Sequence, residues 1–136
     1  MKNRIFCGIL GLLMALLNFD LLADMQAQVM SIPHAISAEN IYKVTIVEID
    51  GGAVEPARNY LLATGERTIK VRIMLKVEWS PILPGATDSV REKEIVLNLE
   101  AKTSYQIGAK LDINAAIESQ LDGSYWEPIL YRKFSD

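Results

Sequence analysis

The chain has 136 residues, half of them hydrophobic, with 14 basic against 17 acidic side chains and a net charge of −3. That length holds one domain, and mild acidity argues against nucleic-acid binding, which needs a basic patch. One cysteine, Cys7, and one histidine, His34, are too few ligands for a zinc site.

The first element precedes the domain. Lys2 and Arg4 lead into an apolar run from Ile5 to Phe19, broken only by Gly8, Gly11 and Asn18, and Leu21-Leu22-Ala23 ends on a small residue. This order is that of a secretory signal peptide over residues 1–23, cleaved after Ala23 or, as second choice, after Ala27. The run is shorter than the ~20 apolar residues that a spanning helix requires, and Asn18 and Asp20 would still lie in lipid. Cys7 stands ahead of the run, so the attachment signal of a lipoprotein is absent. The expected mature protein is periplasmic or secreted, has no membrane span, and carries neither thiol nor disulfide. Cleavage removes Lys2, Arg4 and Asp20, leaving 12 basic against 16 acidic residues, a net of −4.

Residues 24–40 are small and polar, contain Pro33 and show little periodicity, which predicts a poorly ordered leader before a domain spanning 41–136. Ile41 to Asp50 predicts the first strand, stopped by Asp50-Gly51-Gly52. Val44 and Ile46 share one face while Val47 and Ile49 share the other, so the strand is either central or carries a bulge that switches its phase. A connection over Ala53–Arg58 and a short strand over Asn59–Leu62 lead to the turn Ala63-Thr64-Gly65-Glu66, where Gly65 can take a positive φ.

From Arg67 to Ser80 apolar and polar residues alternate. Ile69, Val71, Ile73, Leu75, Val77 and Trp79 face inward, and a strand of that length must bend or serve two sheets. Ser80–Ser89 holds two prolines and reads as a loop. Val90–Ala101 turns Ile95, Leu97, Leu99 and Ala101 inward, and after a tight turn at Lys102-Thr103 so do Tyr105, Ile107, Ala109 and Leu111, which predicts a hairpin. Ile113–Leu121 fits a short helix capped by Asp112, and also fits a continued strand. Asp122-Gly123 ends it, and Trp126–Phe134 forms a last strand that Pro128 marks as an edge. The expected fold is all-β, an antiparallel β-sandwich of six to seven strands with at most one short helix.

Chemistry has few carriers in this sequence. A nucleophilic triad needs a held base, and His34 sits beside Pro33 in the leader. Asp50-Gly51 and Asp122-Gly123-Ser124 lack the spaced oxygens of a calcium loop and read as turns. The carboxylates fall mostly on outward strand positions or turns, and there is no phosphate-binding glycine loop. No metal and no cofactor is expected. Two features suggest binding. Ile82 and Leu83 are apolar residues between two prolines, either a plug on the sandwich end or an exposed contact pair. Tyr125 and Trp126, with Tyr131, Tyr60 and Tyr105, could form a stacking platform for sugar or peptide, or else pack in the core.

Ile49-Asp50-Gly51, followed by Leu61-Leu62-Ala63-Thr64-Gly65-Glu66-Arg67-Thr68-Ile69-Lys70-Val71, resembles the repeat of PEGA-type domains, in which a strand ending in Asp-Gly is followed by a glycine turn and an alternating Val/Ile strand. Leu99–Ala109 and Trp126-Glu127-Pro128 are similar to small exported bacterial proteins built around such a domain. The chain departs from the pattern at Ala63-Thr64, where a proline-containing turn is usual, and at Arg67, where histidine is common. The resemblance implies a non-enzymatic surface or envelope binding module and offers no catalytic residue. The expected function is therefore that of an exported binding or structural module acting on an envelope protein or glycan, with a small carboxylate-dependent hydrolase as the alternative.

Overall fold

The structure is a computed structural model and describes residues 25–74 and 91–135. Among these residues nine strands form two sheets, packed face to face around one core, with one short α-helix. Strand β6 (Gly65–Ile73) is the spine of the four-stranded sheet. Its alternation buries Ile69, Val71 and Ile73, because successive side chains leave a strand on opposite faces. On the outer face Lys70 pairs with Glu48 at 3.2 Å and Arg72 with Glu92 at 2.6 Å. β6 pairs antiparallel with β7 (Glu92–Leu99) on one side and with β3 (Val44–Ile49) on the other, and β4 (Gly52–Ala53) extends the sheet beyond β3. The register of β3 slips between Ile46 and Glu48. This is the expected phase switch, and it returns Ile49 to the core after Val44 and Ile46.

The second sheet centres on β8 (Thr103–Leu111) and contradicts the expected leader. Residues 25–40 are not a loose approach to the domain. They contain strand β1 (Gln26–Ser31), which lies parallel to β8 on one side and antiparallel to β5 (Tyr60–Ala63) on the other. Beyond β1, the two-residue strand β2 (Ile41–Tyr42) continues along the same edge of β8. β1 alternates like the others, with Ala27 and Val29 buried and Gln26 and Gln28 partly exposed. With only two inward residues, one of them alanine, the pattern is too short and too weakly β-forming to stand out in the sequence. Three short or unread strands, β1, β2 and β4, raise the count above the expected six or seven, and the parallel pairing makes this sheet mixed.

The expected hairpin between β7 and β8 is also corrected, because the two strands lie in different sheets. Alternation fixes which residues face the core but not which neighbour a strand pairs with. A chain that crosses over the end of the core keeps the same residues inward. The crossing occurs at Glu100–Lys102, where Lys102 takes φ of 55°. The buried Tyr105 hydroxyl accepts a hydrogen bond from the Glu100 N–H at 2.7 Å and donates to the Asn98 carbonyl at 3.3 Å, tying the corner to its own following strand. β5 and β6 likewise belong to different sheets, and the chain passes between them at Gly65, with φ of 114°.

β9 (Trp126–Ser135) pairs with β8 along its whole length and, among the described residues, with no other strand, as Pro128 indicates. Helix α1 (Ile117–Asp122) ends at Gly123 with φ of 88°. Its N-cap is Ala116 and not Asp112, whose Oδ1 instead accepts the Asn114 N–H at 3.0 Å. On the outer face of the second sheet Gly108 is covered by Ile32 and Ile41, and a Cβ there would stand 2.7 Å from Ile41. No helix among the described residues is long and apolar enough to cross a membrane.

Candidate functional site: a cleft at one end of the sandwich

Of the residues that the sequence singles out, Ile82 and Leu83 lie outside the described residues. Tyr125 and Trp126 are 1% and 2% exposed and belong to the core. Their faces therefore offer no stacking platform. The Tyr60 and Tyr105 hydroxyls are occupied by backbone groups, and the Tyr131 hydroxyl meets Glu39 at 3.5 Å. Burial pushes the Tyr125 phenol above its ordinary pKa, and its hydroxyl has no hydrogen-bond partner among the described residues. Lys93 seals the seam between β7 and β9. Its Nζ lies 5.2 Å from the Trp126 ring centroid and donates to the Trp126 carbonyl, and loss of solvent lowers its pKa.

Both Asp-Gly sites are turns held by their own carboxylates. Asp50 accepts the Thr68 N–H at 2.9 Å and the Arg67 guanidinium at 2.7 Å, which together hold its pKa below the ordinary carboxylate value. Asp122 accepts the Ser124 hydroxyl and N–H at 2.6 and 2.8 Å, with the same effect on its pKa. No group of three His, Cys, Asp or Glu among the described residues is placed to hold a metal ion.

A cleft of about 870 Å³ opens where β1 ends and β3 begins. One wall is the exit of β1, from Met30 through Ile32 to His34, and another is the start of β3 from Lys43. The Ser31 hydroxyl joins these walls across the two sheets by accepting the Val44 N–H at 3.0 Å while donating to the Ile32 carbonyl. The third wall is the loop Pro56–Asn59, and the Tyr60 hydroxyl fixes it, donating to the Glu55 carbonyl at 2.6 Å and accepting the Ala57 N–H at 3.1 Å. Met74, 48% exposed, adds apolar surface at the rim.

His34, Lys43 and Arg58 all line this cleft, whereas among the described residues none of its lining is an aspartate or glutamate. A second, smaller groove of about 280 Å³ on the outer face of the mixed sheet, between Gln28, Leu61 and Ser104, also lacks carboxylates among the described residues. Sequence reading passed over Lys43 and Arg58 because each stands in a segment read for its backbone, one in a strand and one in a connection. Only the fold, by bringing the ends of β1 and β3 together, makes them neighbours of one cleft. Comparison with family models, with curated proteins and with solved structures finds no match to the chain.

Proposed function

We propose that the protein is an exported, non-enzymatic module that binds a component of the cell envelope in the cleft between β1, β3 and the Pro56–Asn59 loop. The observation that carries this reading is the cleft itself, whose volume falls in the range of ligand sites. Its walls are held by Ser31 and Tyr60, so little order has to be gained when a ligand enters. The hydrolase alternative needs two carboxyl groups across a cleft, and neither cleft has such a lining among the described residues. With Tyr125 and Trp126 in the core, a glycan platform loses its rings and the cleft takes over the binding role. Kinship with PEGA-type domains is proposed on the quoted residues alone and assigns no ligand.

Blocking the cleft tests the reading. Asn59 is an exposed residue of its lining loop, and Asn59→Trp adds bulk to that lining at a position outside the core. Wild-type protein immobilised and exposed to envelope extract is expected to retain a component that Asn59→Trp does not. Equal retention by both places binding elsewhere on the molecule.

A further inference from the structure

Outside the cleft, most cations among the described residues are engaged, the Arg91 Nε being an exception. Arg67, Lys70, Arg72 and Lys133 each pair with a carboxylate. Lys93 and Lys110 donate to the carbonyls of Trp126 and Glu39, and Arg132 lies over the Tyr131 ring. The side chains of Lys43 and Arg58 have no hydrogen bond or ion pair among the described residues, and both residues line the cleft, as does His34. Two cations without a carboxylate partner on the lining of one concavity, in a chain whose net charge is negative, make it a place that attracts an anion.

The rest of the lining is largely apolar, with Met30, Ile32, Pro33, Pro56 and Met74 around the same space. We propose that the ligand is a small amphiphilic anion, with a carboxylate or phosphate group held by Lys43 and Arg58 and an apolar body against Met30, Met74 and the two prolines. The inference rests on the cleft being the binding site proposed above. Arg58 supplies a planar fork that suits either oxyanion, and Lys43 supplies a point charge. The apolar body is required because an exposed cation pair alone gives an anion little affinity in water.

The test uses the full chain and ligands that share one tail, decanoate, decyl phosphate, decanol and decyltrimethylammonium, titrated below their micelle concentrations by calorimetry. The two anions are expected to bind saturably and at least about tenfold more tightly than decanol, with acetate and inorganic phosphate too weak to detect. Lys43→Gln and Arg58→Gln are each expected to weaken the anions by about fivefold or more while leaving decanol unchanged. Flotation with phosphatidylglycerol vesicles, against phosphatidylcholine vesicles, separates a membrane headgroup as the source from a free amphiphile. Binding only to vesicles assigns the phosphate of a lipid, and binding only in solution assigns a free acid. Equal affinity for decanoate and decanol, both lost in Asn59→Trp, overturns the anion but keeps the cleft. Anion binding that survives Asn59→Trp, Lys43→Gln and Arg58→Gln overturns both readings. The absence of any amphiphile binding overturns the present inference, and capture of an acidic peptide instead assigns the cleft to a protein partner.

Discussion

Two tyrosines of the core make opposite uses of the same hydroxyl. Tyr105 spends its hydroxyl on the corner between the sheets, satisfying the Glu100 N–H and reaching the Asn98 carbonyl. Tyr125 is as deeply buried, and its hydroxyl has no partner among the described residues. A buried polar group without a partner is destabilising, whereas removing one half of a satisfied pair leaves the other half stranded. Tyr105→Phe is therefore expected to lower unfolding free energy by about 1–2 kcal/mol, while Tyr125→Phe leaves it unchanged or raises it, as measured by urea denaturation. Gly65 is another position where chemistry is dictated by backbone. Its φ of 114° is open to glycine and strained for other residues, even though no atom crowds the place of a Cβ. Gly65→Val is expected to cost about 1 kcal/mol or more through conformation alone, and an unchanged melting midpoint would refute it. Asp50 gives a pH dependence. Its native pKa is depressed by the Thr68 N–H and by Arg67, so its contribution is full above the unfolded value and disappears as pH falls through the native one. The stability gap between wild type and Asp50→Asn should accordingly stay constant above about pH 5 and narrow as pH falls below that.

At the scale of elements, legibility followed the length of each alternating run. β6 and β8 carry three or more inward residues each, and Ile69, Val71, Ile73, Tyr105, Ile107, Ala109 and Leu111 are all buried as their spacing predicts. The phase switch in β3, the edge position of β9 and the turn at Gly65 were legible for the same reason, since bulges, proline and glycine act locally. Pairing partners were not legible, because nothing in the alternation of β7 and β8 separates a hairpin from a crossing between sheets. β1 was missed through its brevity, and the cleft was missed with it, since one wall of the cleft is the end of β1. The position of β1 bears on export. Cleavage after Ala23 leaves the strand whole, whereas cleavage after Ala27 removes Gln26 and Ala27, which pair with Ala63 and Leu62. It also removes the carbonyls that receive the N–H groups of Thr64 and Lys102. Mass spectrometry of protein from the native host is expected to find Asp24 as the first residue. A chain engineered to begin at Gln28 should unfold at a lower denaturant concentration than one beginning at Asp24.

Across the whole molecule the two sheets are coupled in two ways. Corners at Gly65 and Lys102 pass the chain from one sheet to the other, and polar ties join separate strands. Lys93 reaches from β7 to β9, Lys133 pairs with Glu100 at 2.9 Å, and Ser31 binds the start of β3. The cleft occupies the end where Ser31 makes its tie, so its shape depends on the relative position of both sheets. A ligand that contacts both Lys43, between β2 and β3, and the Pro56–Asn59 loop before β5 thus stabilises the sandwich as a whole. Saturating ligand should raise the melting temperature of wild type, following the mass-action relation between affinity and stability, and leave that of Asn59→Trp unchanged.

The placement of β1 against β8 also determines when the domain can form. Ser104 and Gln28, hydrogen-bonded neighbours in the mixed sheet, are 76 residues apart in the chain. The first strand to be synthesised must wait for almost the last before its parallel edge is filled. Closing so long a loop before any pairing energy is gained is slow, and refolding from urea is expected in the range of milliseconds to seconds when followed by stopped-flow fluorescence. A nascent chain is thereby held open until nearly all of it has been made. The proposed export would draw on this delay, since the same strand order that makes the native sheet continuous keeps the newborn protein threadable.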